Sequence, residues 1–130
     1  MSLPVMVLAI VPHNGFMDAR SARLDAAAAL QSGEYMDAVR QTMDWFATLH
    51  PGRSVEVRVP PFRVIQILGG TTHRRGTPPA VVEMAPASWL ALVAGTSSWD
   101  SLRDSGAIRA SGERSNLAEL FADLDRDLAE

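Results

Sequence analysis

The sequence predicts an α+β domain in which a small, mostly antiparallel sheet of about five strands carries helices packed on one face. Three observations lead there. Val55, Val57 and Val59 alternate with Glu56 and Arg58, the period of a strand with one wet face. Upstream, an alanine-rich stretch and a Met/Val/Phe stripe at helical spacing read as two amphipathic helices. Downstream, Gly95, Gly106 and Gly112 divide Trp89–Leu120 into helix, short helix, strand and closing helix. At 130 residues and 47% hydrophobic, the chain suits one domain with its own core.

The elements follow in order. Val5–Val11, rich in β-branched residues between Pro4 and Pro12, reads as a short buried strand, and His13-Asn14-Gly15 as a turn. Asp18 is the expected N-cap of a helix over Ala19–Gln31 that Gly33 ends. A second helix runs from about Glu34 to Leu49, with Met36, Val39, Met43 and Phe46 as its buried stripe. Pro51-Gly52 stops it. Strands are expected over Val55–Val59, Phe62–Leu68 and Ala80–Met84, with Pro60-Pro61 breaking the first pair and Gly69–Pro79 forming a loop. Pro86 suits the first turn of a helix ending near Gly95. Ser97 or Ser98 caps a short helix over Trp99–Asp104, Ala107–Ser111 is a strand, and Ser115 caps the last helix. Leu117, Leu120, Phe121, Leu124 and Leu128 form the apolar face of that helix.

Composition narrows the function classes. A formal charge of −3 argues against a nucleic-acid surface, whose affinity rests on cation–phosphate contacts. The chain has no cysteine and no lysine, which excludes disulfides, thiolate chemistry and Schiff bases. His13, His50 and His73 are too far apart for a local metal motif. The seven-residue run Val5–Val11 is far shorter than a membrane span, so no stable membrane insertion is expected. It also lacks the basic flank and cleavage site of a signal peptide, which points to the cytoplasm.

Four segments carry a family resemblance: V-E-V-R-V-P-P-F (Val55–Phe62), H-R-R-G-T-P-P-A-V-V-E (His73–Glu83), W-L-A-L-V-A-G (Trp89–Gly95) and S-G-A-I-R-A-S-G (Ser105–Gly112). Over about Arg53–Leu120 the chain resembles the bacterial, chiefly actinobacterial, sterol carrier protein-like family. That family is related to the C-terminal domain of mycothiol-dependent maleylpyruvate isomerases. Residues 1–33 carry none of the likeness and read as an N-terminal extension of a single domain over 1–130. The resemblance implies a sterol-carrier-like fold, an apolar cavity between sheet and short helices, no catalytic residues and no cofactor. Ala80 departs from it, because a polar residue is expected before Val81-Val82-Glu83.

The candidate ligand-binding residues are His73, Arg74, Arg75, Thr77, Glu83, Trp89 and Trp99. In Gly69–Pro79, two adjacent arginines, a histidine and hydroxyls among glycines can form a concave anion site; the plainer reading is a solvated arginine-rich connection. The loop has neither the spacing nor the lysine of a P-loop. Glu83 can face those arginines, or simply form a strand-end ion pair with Arg74 or Arg75. Trp89 and Trp99 either border a pocket or pack the core. The expected role is a non-catalytic carrier of a lipid or other apolar small molecule. The alternative is a protein-interaction or accessory domain with a closed core. In either case the Val5–Val11 strand pairs within the chain or joins two copies as a homodimer.

Overall fold

A computed structural model of the protein describes residues 17–70 and 79–129. The expected strand Val5–Val11 and the loop residues His73, Arg74, Arg75 and Thr77 lie outside them. The described chain runs α1 (Ala19–Ser32), α2 (Met36–Leu49), β1 (Val55–Val59), β2 (Arg63–Ile67), β3 (Ala80–Met84), α3 (Pro86–Ala94), α4 (Trp99–Asp104), β4 (Ile108–Ser111) and α5 (Ala118–Ala129).

Local chemistry accounts for most of the helix ends. Asp18 accepts a 2.7 Å bond from the Ser21 N–H, and that bond holds its carboxyl below the usual carboxylate range. The buried positions of α1 are Ala22, Ala26 and Ala29. These small side chains let α1 lie close against α3. Pro86 begins α3 as expected, and Gly95 ends it in the left-handed conformation. Ser98 caps α4 by accepting from the Ser101 N–H. At α5 the expected cap differs: Asn116, not Ser115, accepts from the Ala118 N–H at 3.0 Å. An Asx side chain bonding two residues ahead competes well with serine at such a turn.

Among the described residues the sheet has four strands in the order β2-β1-β3-β4. The pairs β1/β2 and β3/β4 are antiparallel, as expected, whereas the central pair β1/β3 is parallel. Hydrophobic periodicity marks a strand without naming its neighbour, so this pairing was not legible in the sequence. The β1–β2 turn contains the cis Pro60–Pro61 bond and closes with Phe62 N–H on Val59 O at 3.0 Å. Val55, Val57, Val59, Ile65, Ile67, Ala80, Val82, Met84 and Ile108 form the buried face. Glu56, Arg58, Val64, Gln66, Glu83 and Arg109 alternate with them on the other face.

Helices on the buried face enclose an aromatic core. Phe46 from α2 meets Trp89 from α3 edge-on at 5.2 Å and stacks on Phe121 from α5 at 5.2 Å. Trp99 from α4 stacks on Phe121 at 6.4 Å, and the ring of His50 lies 4.6 Å from Phe46. Trp89 is fully buried, and its Nε1–H donates to Thr42 Oγ1 at 2.9 Å. The Thr42 hydroxyl in turn donates to Ala38 O at 2.6 Å, so both polar groups are satisfied inside the core. The buried stripe of α2 is Ala38, Val39, Thr42, Met43 and Phe46. Met36 is 43% exposed, contrary to expectation. At 100° per residue it lies about a quarter turn from the centre of that stripe.

Gly52 carries the tightest backbone approach. With φ at +146°, a Cβ there would fall 2.0 Å from the carbonyl carbon of Leu68. The same region is clasped by Leu68 N–H on His50 O and by Ala80 N–H on Ser54 O, each at 3.0 Å. Gly52 therefore lets the end of α2 meet both β2 and β3.

Gly33→Ala, at a left-handed position with open space around it, should cost about 1–2 kcal/mol in urea unfolding. Gly52→Ala adds backbone overlap and should cost at least about 4 kcal/mol or prevent folding. Thr42→Val leaves the Trp89 N–H buried without its acceptor and should cost about 1–3 kcal/mol. That loss should shrink in a Trp89→Phe background, as a double-mutant cycle would measure. Burial against the core pushes the His50 imidazole below its ordinary value of 6.5. The unfolded chain then takes up the proton first, so stability is full above about pH 6.5 and falls as pH drops toward the folded-state value. The urea midpoint of wild type should fall between pH 7.5 and 5.5 by more than that of His50→Gln.

Candidate functional site

Alternation along β3 puts Val82 and Met84 into the core and Glu83 on the opposite face. The β3/β4 register sets Glu83 directly across from Arg109. There Glu83 Oε2 accepts from Arg109 Nη2 at 2.6 Å, with the two side chains 30% and 78% exposed. On the other side of β3, the parallel register sets Glu83 across from Arg58, whose Nε donates to Glu56 at 2.5 Å. Two ion pairs thus lie side by side on the outer face. At this exposure each contributes less than about 1 kcal/mol to stability, so a ligand can compete for their groups.

Three connections meet at this end of the sheet: the β1–β2 turn, the β3–α3 junction and the α4–β4 junction. They border an open cleft of about 430 Å³ lined by Pro60, Glu83, Met84, Ala85, Gly106, Ala107 and Arg109. Its volume falls in the lower part of the range typical of small-molecule sites, about 300–1,000 Å³. Pro60, Ala85 and Ala107 give it apolar wall, and the Glu83–Arg109 pair gives it a charged rim. Gly106 breaks α4 in the left-handed conformation and turns the chain into β4, which brings Ala107 and Arg109 to the cleft.

The other candidate residues are distributed differently. Trp89 and Trp99 converge on Phe121 in the core, 0% and 3% exposed, and neither lines this cleft. Trp99 Nε1 is buried without a hydrogen-bond partner. An unpaired donor of that kind normally costs about 1–3 kcal/mol. Glu83 is therefore separated from the tryptophans by the sheet itself, and its ion-pair partner here is Arg109. Ala80, 5% exposed, packs against Gly112, where an added Cβ would lie 3.0 Å from Ala80 Cα. Sequence reasoning did not single out Arg109, Pro60, Met84 or Ala107 as a group. The alternation Ile108, Arg109, Ala110 signals an outward Arg109, but only the cross-strand register supplies its partner.

The described residues contain no group of three or more His, Asp or Glu side chains able to hold a metal ion. Among them, no helix is long and apolar enough to cross a membrane.

The sequence comparisons agree with this architecture. No curated protein gives a significant match to the chain. The family profile of bacterial SCP (sterol carrier protein) orthologs matches residues 31–122. The matched stretch starts at the C-terminal end of α1 and reaches into α5, so it includes the whole described sheet and the rings of Phe46, Trp89, Trp99 and Phe121. It begins earlier than the resemblance over Arg53–Leu120, because α2 belongs to the family domain. With well over half of its length matched, the chain belongs to the family of bacterial SCP orthologs.

Proposed function

We propose that this protein is a cytoplasmic, non-catalytic binding domain of carrier type that takes up a lipid or another apolar small molecule. The observation that carries this reading is the cleft at the sheet end, where Pro60, Ala85 and Ala107 offer apolar wall beside a charged rim. Membership of the SCP family supports it, since carriers of this kind work by burial rather than bond-making. Association then draws on apolar area removed from water, at about 25 cal/mol per Å². His73, Arg74, Arg75 and Thr77 stand in this reading as a separate polar anchor, in the sequence between β2 and β3, whose flanking strand ends lie at the Val55 end of the sheet away from this cleft. Glu83 takes part in it by positioning the Arg109 guanidinium at the rim of the cleft.

One observation favours a second reading, a protein-interaction or accessory domain with no ligand of its own. Phe46, Trp89, Trp99 and Phe121 fill the layer between sheet and helices, the place where the family resemblance implied a cavity. In that reading the N-terminal residues 1–16 supply a surface for a partner or a second copy.

A screen of fatty acids, acyl-CoAs and sterols separates the two. Isothermal titration calorimetry and thermal unfolding should both respond saturably to at least one of them. The stabilisation should reach about 2.7 kcal/mol at a hundredfold excess over Kd. No saturable response to any class would end the carrier reading. An unchanged stability and oligomeric state after deletion of residues 1–16 would instead remove the support for the accessory one.

A further inference from the structure

We propose that the cleft beside the Glu83–Arg109 pair selects small apolar carboxylic acids, with Arg109 as the residue that reads the acid group. This rests on the carrier reading and adds the head-group chemistry and the residue responsible. The argument begins with size. A cleft of about 430 Å³, open on one side to the Arg109 side chain, suits a compact ligand rather than a long-chain one. Its apolar wall comes from Ala85 on one side and Pro60 and Ala107 on the others.

The polar end of the ligand is set by which charged group has capacity left. Arg109 carries five N–H donors in a planar fork, and Nη2 is the atom that meets Glu83. Its side chain is 78% exposed, so its remaining donors can turn to a ligand with little rearrangement. Glu83 is held lower, 30% exposed, between Arg58 on one neighbouring strand and Arg109 on the other. An acid entering the cleft exchanges one carboxylate partner of Arg109 for another, or shares the guanidinium in a bidentate contact. The departing Glu83 keeps Arg58 as its cross-strand neighbour and shares that guanidinium with Glu56, which already accepts from it at 2.5 Å. A neutral molecule of the same shape gains the apolar contacts and forgoes the exchange.

The test uses the full chain with 4-phenylbutyrate and its neutral counterpart 4-phenylbutanol as probes, followed by calorimetry and amide chemical-shift mapping at pH 7.5 and low salt. Wild type should bind the acid about tenfold more tightly than the alcohol, with shifts at Met84, Ala85, Gly106 and Ala107. Arg109→Gln should erase that preference while the alcohol affinity stays the same, and Arg109→Lys should keep part of it. Glu83→Gln, which removes the competing carboxylate, should tighten the acid and leave the alcohol unchanged. Both substitutions lie on the outer face, and thermal unfolding checks that each variant is folded. Equal affinity for the two probes, or a preference that survives Arg109→Gln, overturns the proposal. Shifts confined to residues away from the cleft overturn it as well. If neither probe binds while a fatty acid or sterol does, the carrier reading stands and this assignment fails.

Discussion

The fold depends on burying the Trp89 indole with its N–H satisfied. Trp89 is the largest fully buried side chain, and it sits where α2, α3 and α5 face the sheet. An indole in that position gains much apolar contact but carries a donor that must find an acceptor without water. Thr42 supplies it, on the adjacent helix, by giving its own proton to Ala38 O and keeping an oxygen lone pair free. This arrangement sets the rotation of α2 about its axis. Once Thr42 points at Trp89, Val39, Met43 and Phe46 fall inward and Met36 is carried to the edge.

The outer helices adjust to this centre. The alanine face of α1 approaches α3 closely enough for Arg23 to reach across and donate its Nε–H to Val93 O at 3.2 Å. The same guanidinium bonds Asp125 of α5 at 2.5 Å and occupies the space a Cβ would claim at Gly95. One arginine thus satisfies a carbonyl at the end of α3 and links α1 to two other helices. On the strand side, the close approach at Gly52 joins α2 to the sheet through backbone contacts that a side chain would prevent. Among the described residues two buried donors lack a partner, Trp99 Nε1 in this interior and Arg63 Nε on β2.

Core and cleft divide the chain's features between two faces. The aromatic residues that dominate the family segment from Trp89 onward build the interior and are nearly inaccessible. The groups open to a ligand come instead from positions of opposite parity on the same strands: Glu83 beside Val82 and Met84, and Arg109 beside Ile108. A β-strand points consecutive side chains to opposite faces, so the segments that specify the fold can also present a binding surface without conflict.

Much of the architecture was legible in the residues because its causes are local. Asp18 caps α1, Gly33 and Gly95 end helices in a left-handed turn, Pro86 starts α3, and the Val55–Val59 alternation marks β1 with its wet and dry faces. Each of these depends on a residue and its near neighbours, and each was predicted from them. The parallel pairing of β1 with β3, the Thr42 acceptor for Trp89, the exposure of Met36 and the meeting of Glu83 with Arg109 were not. Their partners lie between 25 and 47 residues apart where a pair is involved, as Val57 with Val82, Glu83 with Arg109 and Thr42 with Trp89 illustrate. Periodicity tells which face a side chain occupies, but strand register and helix rotation tell what it faces. Those are set only when the whole core packs, which is why the fold class could be read from the chain while the candidate site required the tertiary structure.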